Sequence, residues 1–348
     1  MAMRIGVIGY GYWGPNLLRN FVQLEDCFVA AVADGDPKKL ETAKKFYPWI
    51  EAFSSGETLI EKGNVDAVVI ATPISTHYPL AKAALSKGKH VLIEKPMAMT
   101  SKQAAELIAL SKSSGKTLMV DHTFVYSGAV QMIRKLIDSG EFGDIYYYDS
   151  VRVNLGLFQH DVNVLWDLAP HDLSVMLYLI DKQPESLCAI GAKPVHTNGW
   201  NLESIAYAVV RFPKETIAHF HVNWLSPVKV RRTLIGGAKK MIVYDHLDPD
   251  NQIKIFDKGV DFSSKQQLDG ALLQYRTGSM FAPKIDQSEA LLAVCRHFVD
   301  CAKSGKPPIT GGHFGLSVVR LLELAQESMD HDGKNIKIEE PFYADARK

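Results

Sequence analysis

The chain begins with short, continuously apolar runs separated by stretches whose apolar positions recur at helical spacing. Ile5 to Ile8 form the first run, after which Leu17, Leu18 and Phe21 share one face of a helix. FVAAVAD (28–34), VDAVVIATP (65–73), HVLIE (90–94) and TLMVDH (117–122) repeat the strand signal, and DPKKLETAKKF, HYPLAKAALSKG and SKQAAELIALSKSSG supply helices between them. Pro37 suits a first helical turn, Thr100 or Ser101 a cap, and Gly88 and Gly115 helix ends. Strands that are apolar along their whole length are buried on both faces. Their alternation with helices therefore predicts an α/β domain built on a parallel sheet.

Beyond residue 122 the period changes. SGAVQMIRKLIDSG is an amphipathic helix, and EFGDIYYYDSVRVNL a long strand. SLCAIGAKPV, ESIAYAVVRFP, TIAHFHVNWLS, VRRTLIGGAKKMIVYDH and QIKIFD then alternate apolar and polar residues, as an antiparallel sheet with one wet face requires. IGGAKKMIVYD reads as a hairpin with Gly236-Gly237 at its turn, and two helices are expected at about 286–303 and 315–329, packed on this sheet or back on the first domain. The expected division is 1–122, an α/β Rossmann domain, and 123–348, an α+β domain with an open, mainly antiparallel sheet.

Composition narrows the function classes. Lys+Arg and Asp+Glu both number 39, so the net charge gives no reason to expect nucleic acid or an anionic membrane as partner. Cys27, Cys188, Cys295 and Cys301 have no C-x-x-C spacing, which fits a reducing, cytoplasmic setting rather than a disulfide framework. Neither a leader nor a membrane span is expected from the pattern.

Gly9-x-Gly11-x-x-Gly14 lies between the first strand and the first helix, flanking Tyr12 and Trp13. In that context Gly9 permits the tight turn, Gly11 lets a pyrophosphate approach the backbone, and Gly14 allows close helix packing. Asp34, at the end of the second strand, is placed to accept hydrogen bonds from a ribose, which favours NAD over NADP. The turns ATPISTH (71–77), with Thr72, Pro73 and His77, and EKP (94–96), with Glu94 and Lys95, follow strands three and four, on the edge where open parallel sheets bind ligands. His122 closes strand five on the same edge.

WDLAPHDLSVMLYLI (166–180) carries the second set of candidates. With Pro170 in the first turn of a helix, Asp167 and His171 would lie at its N-terminal end, on one face by their i, i+4 spacing. A carboxylate can then orient the imidazole while the helix end restrains its pKa. The same spacing also fits Asp167 as a cap and His171 as a surface histidine. No H-E-x-x-H or cysteine partner accompanies the cluster, so no metal is expected.

The glycine-rich turn, A-T-P-x-x-x-H, E-K-P and D-x-x-x-H occur in an order and spacing that resembles the Gfo/Idh/MocA oxidoreductases along essentially the whole chain. That resemblance implies NAD(H) or NADP(H) as cofactor, sugars or polyols as substrates, and homodimers or homotetramers joined through the sheet of the second domain. It implies Lys95 beside the reacting carbinol, His171 as acid/base and Asp167 as its neighbour. DHTFVYS and NLGLFQHDVNVLWDLAPHD are most similar to the branch that acts at C3 of nucleotide-linked sugars. For such a substrate Arg152, Arg231 and Arg232 are candidate diphosphate contacts. Asn154, Gln159, His160, Asn163 and Trp166 are candidates for the sugar. A free-polyol or inositol dehydrogenase, and a dinucleotide sensor without catalysis, remain as rival readings.

Overall fold

The computed structural model describes residues 2–156, 158, 161–195, 201–261, 274–339 and 342. Gln159 and His160 lie outside them. By contacts the chain forms two compact units. One holds the described residues of Met1–Ser127 and Ser288–Glu323, the other those of Gly128–Gln287 and Leu324–Phe342. The chain therefore leaves the first unit after Ser127, returns to it at Ser288 and leaves it again after Glu323.

In the first unit the order is β1 (Met3–Ile8), α1 (Gly14–Val22), β2 (Cys27–Ala33), α2 (Pro37–Phe46), β3 (Glu51–Phe53), α3 (Gly56–Lys62), β4 (Ala67–Ile70), α4 (Ile74–Ser86), β5 (His90–Glu94), α5 (Ser101–Ser114) and β6 (Leu118–Asp121). The strands line up as β3-β2-β1-β4-β5-β6, every pair parallel. Val7, Val68, Val69, Val91, Leu92 and Ile93 are fully buried, which is why these strands lack polar alternation. Asp36 caps α2 by accepting from the Lys38 amide, Ser55 caps α3, and Thr100 caps α5, which ends at Gly115 in the left-handed region. β3 and α3 went unread in the sequence because their three and seven residues are too short to show a period.

The second unit opens with α6 (Gly128–Asp138), β7 (Ile145–Leu155) and α7 (Val164–Leu179), followed by β8 (Ser186–Ala192), β9 (Ile205–Arg211), β10 (Ile217–Asn223), β11 (Leu225–Gly237), β12 (Met241–Asp245) and β13 (Ile253–Phe256). Short strands β14 (Gly259–Asp261), β15 (Gln274–Arg276) and β16 (Met280–Phe281) come next. The chain ends with α8 (Ala290–Ser304), α9 (Gly312–Asp330) and β17 (Ile336–Lys337). Nine strands join in the order β16-β13-β12-β11-β7-β10-β9-β8-β17, antiparallel except for β7 beside β10. The inner face is apolar: Ala208, Val210, Ala218, Phe220, Val222 and Ile235 are buried, with Tyr148 and Phe220 in ring contact at 5.8 Å.

Two local expectations are corrected. The β11–β12 hairpin turns at 238–240, closed by the Gly237 amide on the Lys240 carbonyl, and Gly236 belongs to β11. There the Tyr147 ring lies where a Cβ would be, 2.0 Å from its Cε1, so glycine answers to a cross-strand aromatic. Helix α7 starts at Val164, capped by Asn163, with Pro170 inside it. The Asn163 side chain outweighs the preference of proline for a first turn.

α8 belongs to the first unit, where Phe298 meets Phe21 of α1 edge-on at 6.3 Å. The segment leading into α9 lies along the β6 edge, through the Val120 amide on the Thr310 carbonyl and a Met119–Gly311 bridge. Among the described residues no helix is long and apolar enough to cross a membrane.

Candidate active site

The glycine-rich turn has the geometry that a dinucleotide needs. Gly9 sits at φ +93°, and a Cβ there would come within 2.5 Å of the Ala71 carbonyl oxygen. A Cβ on Gly14 would lie 1.9 Å from the Gly9 oxygen, whereas one on Gly11 would meet nothing within 4 Å. Two glycines thus pack backbone on backbone and the third faces open space. No side chain caps α1, so its first amides are left for an anion. Tyr12 and Trp13 flank the turn as an exposed edge-on pair with centroids 5.3 Å apart.

Asp34 accepts from the Tyr10 amide at 2.7 Å and from the Asp36 amide at 2.9 Å, which fixes its carboxylate beside the turn. Lys39 Nζ lies 3.6 Å from it. Lys39 belongs to the first turn of α2, five positions beyond Asp34, and the fold of that turn brings this cation beside the acid.

Thr72 and Pro73 lead into α4. His77, one turn along, is buried with Nε2 2.8 Å from the Thr72 carbonyl oxygen and Nδ1 2.8 Å from that of Pro96. It ties the 71–77 turn to the 94–96 turn. The Lys95–Pro96 peptide is cis.

Beneath Lys95 lies a pair of acids. Glu94 and Asp121 are register partners on β5 and β6, and both are buried. Burial, reinforced by the neighbouring Asp121 charge, drives the Glu94 pKa well up. Burial also pushes Asp121 up, to about 6, although Thr123 Oγ1 donates to it at 2.7 Å. The motif drew attention to Glu94 alone. An acid closing the adjacent strand of a parallel pair was the available signal.

The raised Asp121 pKa has a measurable consequence. A carboxyl that binds its proton more tightly folded than unfolded costs stability above its folded pKa, and the cost fades as pH falls from about 6 toward its ordinary 3.8. Asp121→Asn is expected to raise stability at neutral pH by on the order of 2–3 kcal/mol. Urea midpoints at pH 7 and pH 4 check this: the gain should shrink at pH 4, and a gain independent of pH would contradict it.

His122 is 1% exposed, and neither ring nitrogen has a hydrogen-bond partner among the described residues. Burial holds it neutral, with its pKa lowered to about 3, and its ring meets Phe314 edge-on at 5.5 Å. An orphaned imidazole on the carboxyl edge of a parallel sheet, together with the open ground over Gly11, fits a bound dinucleotide.

In the second unit Asp167 and His171 lie one turn apart on α7, seven residues into the helix in the case of His171. The helix-end effect expected on its imidazole fades within the first turn and does not reach it. Asp167 accepts from Trp224 Nε1 at 3.1 Å, and Trp224 is fully buried. This tryptophan went unnoticed in the sequence because it is distant in the chain and closes an otherwise ordinary strand, β10.

Arg152, expected on a diphosphate, instead makes a buried two-pronged pair with Asp172, Nε to Oδ2 at 2.6 Å and Nη2 to Oδ1 at 3.0 Å. It anchors α7 to β7. Asn163 is likewise occupied, its oxygen capping α7 and its nitrogen donating to Glu203 and Gln326 at 2.8 Å each. Asn154, near the end of β7, has a buried Oδ1 without a partner among the described residues. Arg231 is the register partner of Arg152 on β11, and Trp166 is half-buried in the first turn of α7. Among the described residues no three His, Cys, Asp or Glu side chains form a metal cluster.

Residues 3–122 match the oxidoreductase family with an NAD-binding Rossmann fold, and residues 130–243 match the Gfo/Idh/MocA C-terminal domain. The chain belongs to the Gfo/Idh/MocA oxidoreductase family. Among relatives of this Gfo/Idh/MocA protein, a UDP-N-acetylglucosamine 3-dehydrogenase of Acidithiobacillus ferrooxidans is 29% identical over 261 residues, 74% of this chain and 78% of that one. A myo-inositol 2-dehydrogenase of Thermotoga maritima is 23% identical over 356 residues, 97% and 99% of the two chains. The solved WlbA dehydrogenase of Bordetella pertussis, in complex with NADH and UDP-GlcNAcA, superposes with a TM-score of 0.81 at 20% identity, over 97% of this chain and 98% of that one. This Gfo/Idh/MocA chain is accordingly an oxidoreductase with a NAD-binding Rossmann domain and a second, mostly antiparallel domain.

Proposed function

We propose that the protein transfers a hydride between NAD(H) and a sugar carbinol, with C3 of a nucleotide-linked sugar as the substrate position. The observation that carries this reading is the end of β5, where Lys95 follows the buried Glu94–Asp121 register pair and lies near the buried His122. Nicotinamide, when bound, supplies or accepts the hydride. Lys95 donates a hydrogen bond to the substrate oxygen and stabilises negative charge developing there. Burial disfavours charge on Glu94 and His122, and Lys95 is the cation offered to that oxygen. His171 takes or returns the hydroxyl proton, and Asp167, held by Trp224, orients it.

The 3-dehydrogenase relative and the nucleotide-sugar complex of the similar structure support the C3 nucleotide-sugar reading. With Arg152 engaged by Asp172, Arg231 is the arginine proposed for the diphosphate, and Asn154, with its orphaned oxygen, is proposed for the sugar. The full-length match to an inositol dehydrogenase favours free polyols as the second reading. Reduction of NAD, followed by its near-ultraviolet absorbance, is expected with UDP-linked sugars; turnover of inositols or free sugars alone would promote the second reading. Retention of Lys95, Asp167 and His171 together argues against a purely sensing role.

Asp34 is proposed to hold the adenosine ribose. Asp34→Ala is expected to weaken NAD about tenfold and NADP less, because Lys39 then stands free for a 2′-phosphate. Equal loss of both cofactors in titration calorimetry would remove the ribose role. Assembly as a homodimer or homotetramer through the open sheet face, where Ile190, Tyr207 and Ile217 are exposed, belongs to the same reading and is checked by light scattering.

A further inference from the structure

At the opposite edge of the six-stranded sheet a cavity of about 570 Å³ opens among α5, the starts of β5 and β6, and the segment leading into α9. This is the size range of small-molecule sites. It lies away from the nucleotide turn. His90, on its wall, begins β5, while Glu94 ends it, and four residue steps of ~3.3 Å put these two ends ~13 Å apart.

The walls have two characters. Ile108, Leu118 and the prolines 307 and 308 are apolar. Lys112, Lys116 and Lys306 also line the space, and among the described residues none of their ammonium groups is in an ion pair or a hydrogen bond, Lys116 and Lys306 bonding to Ser111 and Ser304 through their backbone alone. α9 begins at this wall with the first-turn amides of Gly312 and Phe314 unbonded among the described residues. His90 Nδ1 accepts from the Thr117 amide at 3.1 Å, which leaves the proton on Nε2 as a further donor. Burial and the nearby Lys116 lower the His90 pKa to about 4, so it acts as a neutral donor.

A cavity lined by three ammonium groups outside any ion pair among the described residues, a long helix start, a neutral N–H and apolar surface selects an anion with an organic body. We propose that this cavity is a second binding site, separate from the nucleotide turn, for a small organic phosphate. The three cations and the free helix amides meet the phosphate oxygens, and the apolar wall covers the rest of the molecule.

Titration calorimetry of the full chain with phenyl phosphate and with inorganic phosphate, each with and without saturating NAD, tests this. Phenyl phosphate is expected to bind at one site, more tightly than inorganic phosphate, with the same affinity whether or not NAD is present. Lys112→Gln, Lys116→Gln and Lys306→Gln together should weaken it at least tenfold. Lys44→Gln, Lys45→Gln and Lys62→Gln, which neutralise three lysines elsewhere on the same unit, should leave it unchanged. Absence of binding, equal weakening by both triple variants, or displacement by NAD would each overturn the proposal. Displacement would mean that the phosphate was occupying the nucleotide turn.

Discussion

Lys95→Met is expected to lower kcat by about 10²–10³-fold while the Kd for NAD stays within about threefold of wild type. The side chain keeps its length and its apolar stem but loses the ammonium, so the turn between Glu94 and the cis Pro96 is retained. What disappears is the donor to the substrate oxygen. Burial disfavours charge on Glu94 and holds His122 neutral, so neither offers a cation in place of the ammonium. Stopped-flow turnover paired with NAD titration separates the two effects. Undiminished kcat would dismiss Lys95 from the chemistry, and a matching loss of NAD affinity would reassign it to cofactor binding.

Arg152→Met is expected to cost about 3–5 kcal/mol of stability, the largest single-residue effect in the second unit. The guanidinium and Asp172 are both buried, at 6% and 8% side-chain exposure, and removing one charge strands the other. Replacing both, as Arg152→Met with Asp172→Leu, should recover most of the loss, because two apolar groups leave no buried charge behind. Urea unfolding of the single and double variants reads this directly. If the single variant unfolds like wild type, the pair does not anchor α7. Since Asp172 follows His171 on that helix, the single variant should also lose activity beyond its loss of stability.

The first unit was largely legible because its signals are local. Gly9, Gly11 and Gly14 announce a strand–turn–helix, and the apolar runs of β1, β2, β4, β5 and β6 announce buried strands. The second unit was legible as alternating strands, down to the near-correct positions of β8, β9 and β10. Failures share one physical cause, a partner far away in the chain. Arg152 reads as an available cation until Asp172, twenty positions on, arrives against it through the packing of α7 on β7. Gly236 reads as a turn until Tyr147 from another strand covers it. Pro170 reads as a helix start because nothing adjacent reveals that Asn163 already provides one. Asp121 and Trp224 belong to the same group: their importance comes from Glu94 and Asp167, which sequence distance hides.

The return of the chain to the first unit bears on how the protein is made. The outer edge of β6 is covered by Thr310 and Gly311, and α1 packs against α8, so these surfaces wait for segments near the end of the chain. On the ribosome the six strands emerge early, with an exposed strand edge and an uncovered Phe21, well before residue 311 exists. An unpaired edge of this kind invites pairing with other nascent chains. Cut at Ser127, the nucleotide-binding half would keep the β6 edge and Phe21 uncovered, and the segments that cover them follow only after the strands of the second unit up to Gln287 have been made.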